Sequence, residues 1–160
     1  MKTEFNKEWK TWIESNIIEG CEKYDIFDTL LKNGFAMSSV SDELEILKGA
    51  EKFDTEGLEM FTVDNFLTKE ECEHLISLIK SKSKPSTTTN EETTAADYRT
   101  SRTCDLGRME DEIVNNIDNR ISSYIGIDSK HGEVIQGQWY KVGEQFKRHT
   151  DFFDPIDVED

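Results

Sequence analysis

Two hydrophobic periods alternate irregularly along this chain, and their order limits the folds open to it. Apolar side chains recur at helical spacing in Phe5, Trp9, Trp12, Ile13 and Ile17, and again in Ile26, Phe27, Leu30 and Leu31. The same spacing returns in Cys72, Leu75, Ile76 and Ile79, and in Ile113, Val114, Ile117, Ile121 and Tyr124. Between and after these stripes, residues 60–64, 98–105, 133–140 and 146–151 read as strands. The order is helices, strand, helix, strand, helix, strands. Strands that do not alternate regularly with helices exclude a doubly wound parallel sheet and predict an α+β fold.

Element ends are marked by local chemistry. Asn33-Gly34 supplies a left-handed stop after the second stripe. Ser39 or Ser41 offers a cap for a short third helix carrying Leu44, Ile46 and Leu47, closed by Lys48-Gly49. Residues 1–50 therefore read as a helical unit with its own stripes, an N-terminal extension to a second unit over 58–160. Thr68 and Glu71 form the T-x-x-E pattern of a capping box. His74 falls off the following stripe and reads as an exposed surface histidine. Residues 81–97 are polar and low in complexity, which predicts a mobile loop. Gly126 ends the last helix.

Composition narrows the function. A length of 160 residues suits one domain, and no apolar run approaches the roughly 20 residues needed to cross a bilayer. With 34 acidic against 19 basic residues, the net charge is −15, which disfavours nucleic acid and anionic membrane surfaces as partners. The N-terminus carries no apolar signal-peptide core, so the expected location is cytoplasmic. Cys21, Cys72 and Cys104 are widely spaced and odd in number, which reads as reduced thiols rather than a disulfide framework or a zinc knuckle.

The chemistry concentrates near the C-terminus. His149 and Asp151 stand two apart on an expected strand, so their side chains point to one side. One imidazole and one carboxylate are two thirds of the two-histidine, one-carboxylate triad of non-haem iron oxygenases. Alone, H-x-D also arises as a polar pair at a strand end. Upstream, alternation places Gln136, Gln138 and Tyr140 on one face and Ile135 and Trp139 on the other. Such a polar face lines a wet pocket or belongs to a solvent-facing edge strand.

The run Gln136-x-x-x-Tyr140-x-x-Gly143-x-x-Phe146-x-x-His149-x-Asp151-Phe152-Phe153 resembles the metal-binding core of prolyl 4-hydroxylases, which are 2-oxoglutarate- and Fe(II)-dependent dioxygenases. Residues 63–72 resemble that family's opening strand and helix, and Arg99-Thr100-Ser101 its R-T-S strand before the helix that ends in Tyr124-Ile125-Gly126. The resemblance covers roughly residues 60–155 in consistent order.

It implies a double-stranded β-helix of the jelly-roll or cupin type, with Fe(II) as metal, 2-oxoglutarate and O2 as co-substrates, and ascorbate keeping the iron reduced. By the same resemblance His149 and Asp151 are iron ligands and catalytic residues, and Tyr140 contacts 2-oxoglutarate. Arg99 helps hold the substrate loop. The implied reaction decarboxylates 2-oxoglutarate to succinate and hydroxylates a prolyl ring of a peptide or protein substrate. The family's third ligand, a later histidine, has no counterpart, because the only other histidines are His74 and His131, both upstream. The expectation is thus an incomplete dioxygenase core, truncated and inactive as an isolated chain. The alternative is a non-catalytic protein-binding module on a degenerate dioxygenase scaffold.

Overall fold

The computed structural model of the protein describes residues 1–87 and 98–149. Five α-helices and five short strands are its main described elements: α1 (Lys7–Ile18), α2 (Lys23–Lys32), α3 (Met37–Leu44), β1 (Glu51–Thr55), β2 (Leu58–Thr62), α4 (Lys69–Lys82), β3 (Lys84–Pro85), β4 (Arg102–Asp105), α5 (Glu112–Ile125) and β5 (Gln136–Trp139). Among the described residues this is an α+β arrangement with two small antiparallel sheets, β1-β2 and β3-β4-β5. Neither closes on itself, so the described part does not show a double-stranded β-helix.

The first three helices follow from their stripes and caps. Asn6 caps α1 by accepting the Trp9 amide at 2.9 Å. Of the α1 stripe only Ile13 is buried, while Ile17 remains 43% exposed. After α2, Gly34 takes φ +83°, and the amides of Gly34 and Phe35 donate to Leu31 O (2.9 Å) and Leu30 O (3.2 Å), the two bonds of a Schellman stop. The third helix departs from the sequence reading. Its cap position is Ala36, so Ser39 and Ser41 lie inside it. Left-handed Glu45 (φ 58°) ends it early, which leaves Ile46 and Leu47 buried outside any helix. Ile13, Ile26, Phe27, Leu30, Phe35, Val40, Leu44, Ile46 and Leu47 form one apolar core.

A hairpin follows. Only its second arm was legible in the sequence, and that arm sits at 58–62 rather than 60–64. Glu51 pairs with Thr62 through to Thr55 with Leu58, across a turn at Glu56-Gly57 where Gly57 has φ +75°. Phe61 brings this arm against Phe27, with ring centroids 6.3 Å apart.

The capping box forms: Thr68 Oγ accepts the Glu71 amide (3.2 Å) and Glu71 accepts the Thr68 amide (2.8 Å). The buried side of α4 is rotated from the expected stripe. Ile76 is 48% exposed, and Leu75, Leu78 and Ile79 face a second core of Cys104, Leu106 and Val114. On α5 the expected stripe is likewise trimmed, with Val114 and Ile117 buried and Ile113 37% exposed. The expected 81–97 loop begins later: Ser81 and Lys82 complete α4 and Lys84–Pro85 form β3, while residues 88–97 lie outside the described part.

The three-stranded sheet is built on β4. Arg102 pairs with Trp139 through to Asp105 with Gln136. Two hydrogen bonds prolong the same antiparallel pairing beyond the strand, Thr100 N to Gln145 O (2.9 Å) and Lys147 N to Tyr98 O (2.9 Å), around an Arg99–Phe146 bridge. The expected strands at 133–140 and 146–151 are therefore not two arms of a hairpin. As far as Lys147 they run in line against one partner, and Lys141–Glu144 loop out between them, closed by Glu144 N to Lys141 O at 3.0 Å. At Gly137 a Cβ would meet Ile79 Cγ1 at 2.3 Å, so only glycine lets α4 lie this close to β5.

Two backbone bonds fasten α5 to the first helices. Tyr24 N donates to Gly126 O (3.1 Å) and Leu47 N to Tyr124 O (2.8 Å), which satisfies carbonyls the helix end leaves open.

Candidate functional site

The polar face foreseen on β5 exists. Gln136, Gln138 and Tyr140 are exposed, whereas Gly137 between them is buried. Gln138 Oε1 accepts from Arg99 Nη2 (3.2 Å) and from Thr103 Oγ1 (3.1 Å). Thr103 also meets Ser86 at 2.7 Å, and Ser86 meets Ser101 at 3.0 Å. Arg99 Nη1 donates to Thr87 O at 2.8 Å, so this guanidinium joins β5, β4 and the residues after β3. Its Nε is buried without a partner among the described residues.

Arg99 also reaches Phe146, three residues before His149. Its guanidinium carbon lies 4.5 Å from the centroid of the Phe146 ring. Phe146 in turn stacks on the His149 imidazole, with centroids 3.6 Å apart and planes 19° apart. Tyr98 packs edge-on against Phe146 at 5.9 Å, and its hydroxyl donates to Arg148 O at 3.2 Å. His149 Nδ1 is 2.7 Å from Lys147 O. A carbonyl only accepts, so Nδ1 carries the hydrogen and the neutral ring keeps its lone pair on Nε2. That is the tautomer a metal-binding histidine adopts when a backbone carbonyl holds its other nitrogen.

His149 is exposed. Tyr140, at the end of β5, is 43% exposed and stands before the Lys141–Glu144 excursion. Asp151 lies outside the described residues. Among the described residues no group of three or more His, Cys, Asp or Glu side chains is placed to hold a metal. The donor chemistry of His149 therefore fits one ligand position, and the structure assembles no complete metal centre.

His74 is not the exposed surface residue its off-stripe position implied. Its side chain is about one-third exposed, and Nε2 lies 2.8 Å from Asp111 Oδ2. Asp111 caps α5, accepting the Val114 amide at 3.0 Å. That backbone bond first, and the His74 bond second, hold the Asp111 carboxyl below its ordinary pKa. His131 lies 3.6 Å from Glu22, at the foot of α2 and away from this face.

The sequence missed Phe146 as a contact of His149. Its only signal was the aromatic three residues before the histidine.

The chain resembles the prolyl 4-hydroxylases of plants. A protein of Arabidopsis thaliana described as "Probable prolyl 4-hydroxylase 8" is 44% identical over 102 residues, 61% of this chain and 35% of that protein. Prolyl 4-hydroxylase 5 of the same plant is 44% identical over 92 residues, covering 56% of this chain and 32% of that protein. Prolyl 4-hydroxylase 2 is 33% identical over 96 residues, 58% of this chain and 32% of that protein. The chain thus spans about a third of the length of these prolyl 4-hydroxylases. No family profile and no solved structure matches it.

Proposed function

We propose that this chain is part of a prolyl 4-hydroxylase-like, 2-oxoglutarate- and Fe(II)-dependent dioxygenase that hydroxylates a prolyl residue of a peptide or protein. The observation that carries this reading is the 44% identity to a plant prolyl 4-hydroxylase over 102 residues. In it, His149 and Asp151 hold the iron and Tyr140 contacts 2-oxoglutarate. Arg99, already bonded to Thr87 O, steadies the substrate side of the site. A jelly-roll core is the framework such a site requires, and the open, antiparallel β3-β4-β5 sheet is compatible with one. When bound, the iron and 2-oxoglutarate supply the oxidising power, while the protein supplies orientation and a shielded pocket.

What the chain's own residues do follows from the geometry. The Lys147 carbonyl holds the imidazole proton on Nδ1 and leaves Nε2 as the donor atom. The polar face of Gln136, Gln138 and Thr103 offers hydrogen-bonding groups on the sheet to which Arg99 is bonded. The 160-residue polypeptide carries no histidine after His149, so by this pattern it brings two of three ligands to the metal.

The test is Mn(II) titration of the 160-residue chain, read as paramagnetic broadening of the His149 ring protons, beside an assay for succinate from 2-oxoglutarate with Fe(II), ascorbate and a proline-rich peptide. The expected result is weak Mn(II) binding centred on His149, lost in His149→Ala, with little or no succinate. A Mn(II) affinity that His149→Ala leaves unchanged overturns the ligand assignment. Robust succinate formation by this chain, abolished in His149→Ala, overturns the need for a later histidine.

A further inference from the structure

The Phe146 ring does more than fill space beside His149. Three constraints meet on that imidazole and its neighbour. Phe146 stacks on it at 3.6 Å, the Lys147 carbonyl binds Nδ1 at 2.7 Å, and Arg99 lies over the Phe146 ring at 4.5 Å. The guanidinium is itself fixed by Thr87 O, Gln138 and Thr103, which ties the stack to the sheet. An exposed histidine otherwise samples several rotamers, and ordering a side chain for ligation costs free energy at the moment of binding.

We infer that Phe146, backed by Arg99, is a positioning residue that pre-orders the His149 imidazole for metal ligation. This rests on the dioxygenase reading above. One plane of the ring is held by the stack, and rotation about the ring axis is held by the Nδ1 bond. Together they fix the plane and the rotation of the imidazole. Loss of such supporting contacts costs about 10–100-fold in metal affinity where they have been removed from metal-binding histidines.

The full 160-residue chain is the test object, with Phe146→Leu and Phe146→Tyr variants and Mn(II) as probe. In the metal-free chain, stacking at 3.6 Å shifts the His149 ring protons upfield in NMR. Phe146→Leu is expected to remove that shift and to weaken Mn(II) binding about tenfold. Phe146→Tyr, which keeps the ring, is expected to restore both. Unchanged backbone spectra away from 145–149 show that the Leu variant is folded; should it unfold, Arg99→Lys replaces it, with a smaller loss expected in the same direction. Mn(II) affinity in folded Phe146→Leu equal to that of the unaltered chain overturns the positioning role. Failure of the unaltered chain to bind Mn(II) at His149, with the upfield shift intact, overturns the dioxygenase reading itself and with it this role for Phe146.

Discussion

At the scale of single residues, space and charge make different demands. Gly137 is dictated by space. A Cβ there would lie 2.3 Å from Ile79 Cγ1 and 3.3 Å from Leu106 Cδ1, so the Ile79 side chain, or α4 with it, must shift to admit it. Gly137→Ala is expected to destabilise by about 1–3 kcal/mol in denaturant melts, with part of the loss recovered when Ile79 is also shortened to Ala, which removes both clashing carbons. Asp111 is dictated by charge. Its carboxyl pKa is lowered by the Val114 amide and by His74, so the carboxylate is favoured in the folded state. A depressed carboxyl contributes stability that is present above the ordinary carboxylate range and is lost as pH falls through the folded value. Asp111→Ala should therefore lower the melting temperature clearly near pH 7 and much less in strong acid. A melting difference that stays constant with pH would show that the carboxylate charge plays no part. His74, read from the sequence as a surface residue, acquires its partner only because α4 and α5 lie side by side. A contact across 37 positions is invisible to any local pattern.

Elements were legible to the degree that their signals were local. The capping box at Thr68 and Glu71 and the Gly34 and Gly126 stops formed as read, because each involves only a few neighbouring residues. The Thr68 cap is more than local, since Arg120 Nη2 donates to Glu71 Oε2 at 2.8 Å and draws α5 onto the start of α4. Thr68→Ala is expected to cost about 1 kcal/mol, measured by chemical denaturation. Strands were less legible. The segment Glu51–Thr55 carries charged residues and is a strand because Leu58–Thr62 pairs with it. The third helix began at Met37 rather than behind a serine cap, because Ser41 is buried at 4% exposure in the first core instead of serving an exposed end. Most telling is the stretch from Gln136 to Lys147. Alternation assigned its faces correctly, yet whether its halves formed a hairpin or ran in line depended on the partner, residues 98–105.

At the scale of the whole molecule, the two cores are unequal. The larger lies within α1–α3 and the turn after them, and Phe61, Tyr124 and Ile125 pack against it. The smaller gathers Cys104, Leu106 and Val114 between α4 and the sheet. The end of α5 is bonded to the first unit through Tyr24 N, Leu47 N and Lys48 O, the last accepting from the Tyr124 hydroxyl at 2.9 Å. Removing residues 1–50 would strip these partners and expose the apolar side chains of Phe61 and Ile125. The shortened chain is expected to lose its cooperative thermal transition, followed by far-UV circular dichroism. A sharp transition near that of the full chain would instead mark residues 1–50 as a separable extension.

The sequence by itself determined the places of α1, α2, α4 and α5, the Gly34 and Gly126 stops, the α+β class, the polar and apolar faces of β5, and the likeness of its C-terminal motif to prolyl 4-hydroxylases. All of these rest on spacing and on chemistry within a few residues. Only the tertiary structure decided that His74 meets Asp111, that residues 98–105 pair with both halves of 136–147, and that Arg99 backs Phe146 against His149. Those outcomes depend on which surfaces come together after the chain folds back, and contacts 35 to 50 positions apart leave no periodic trace for a sequence to display.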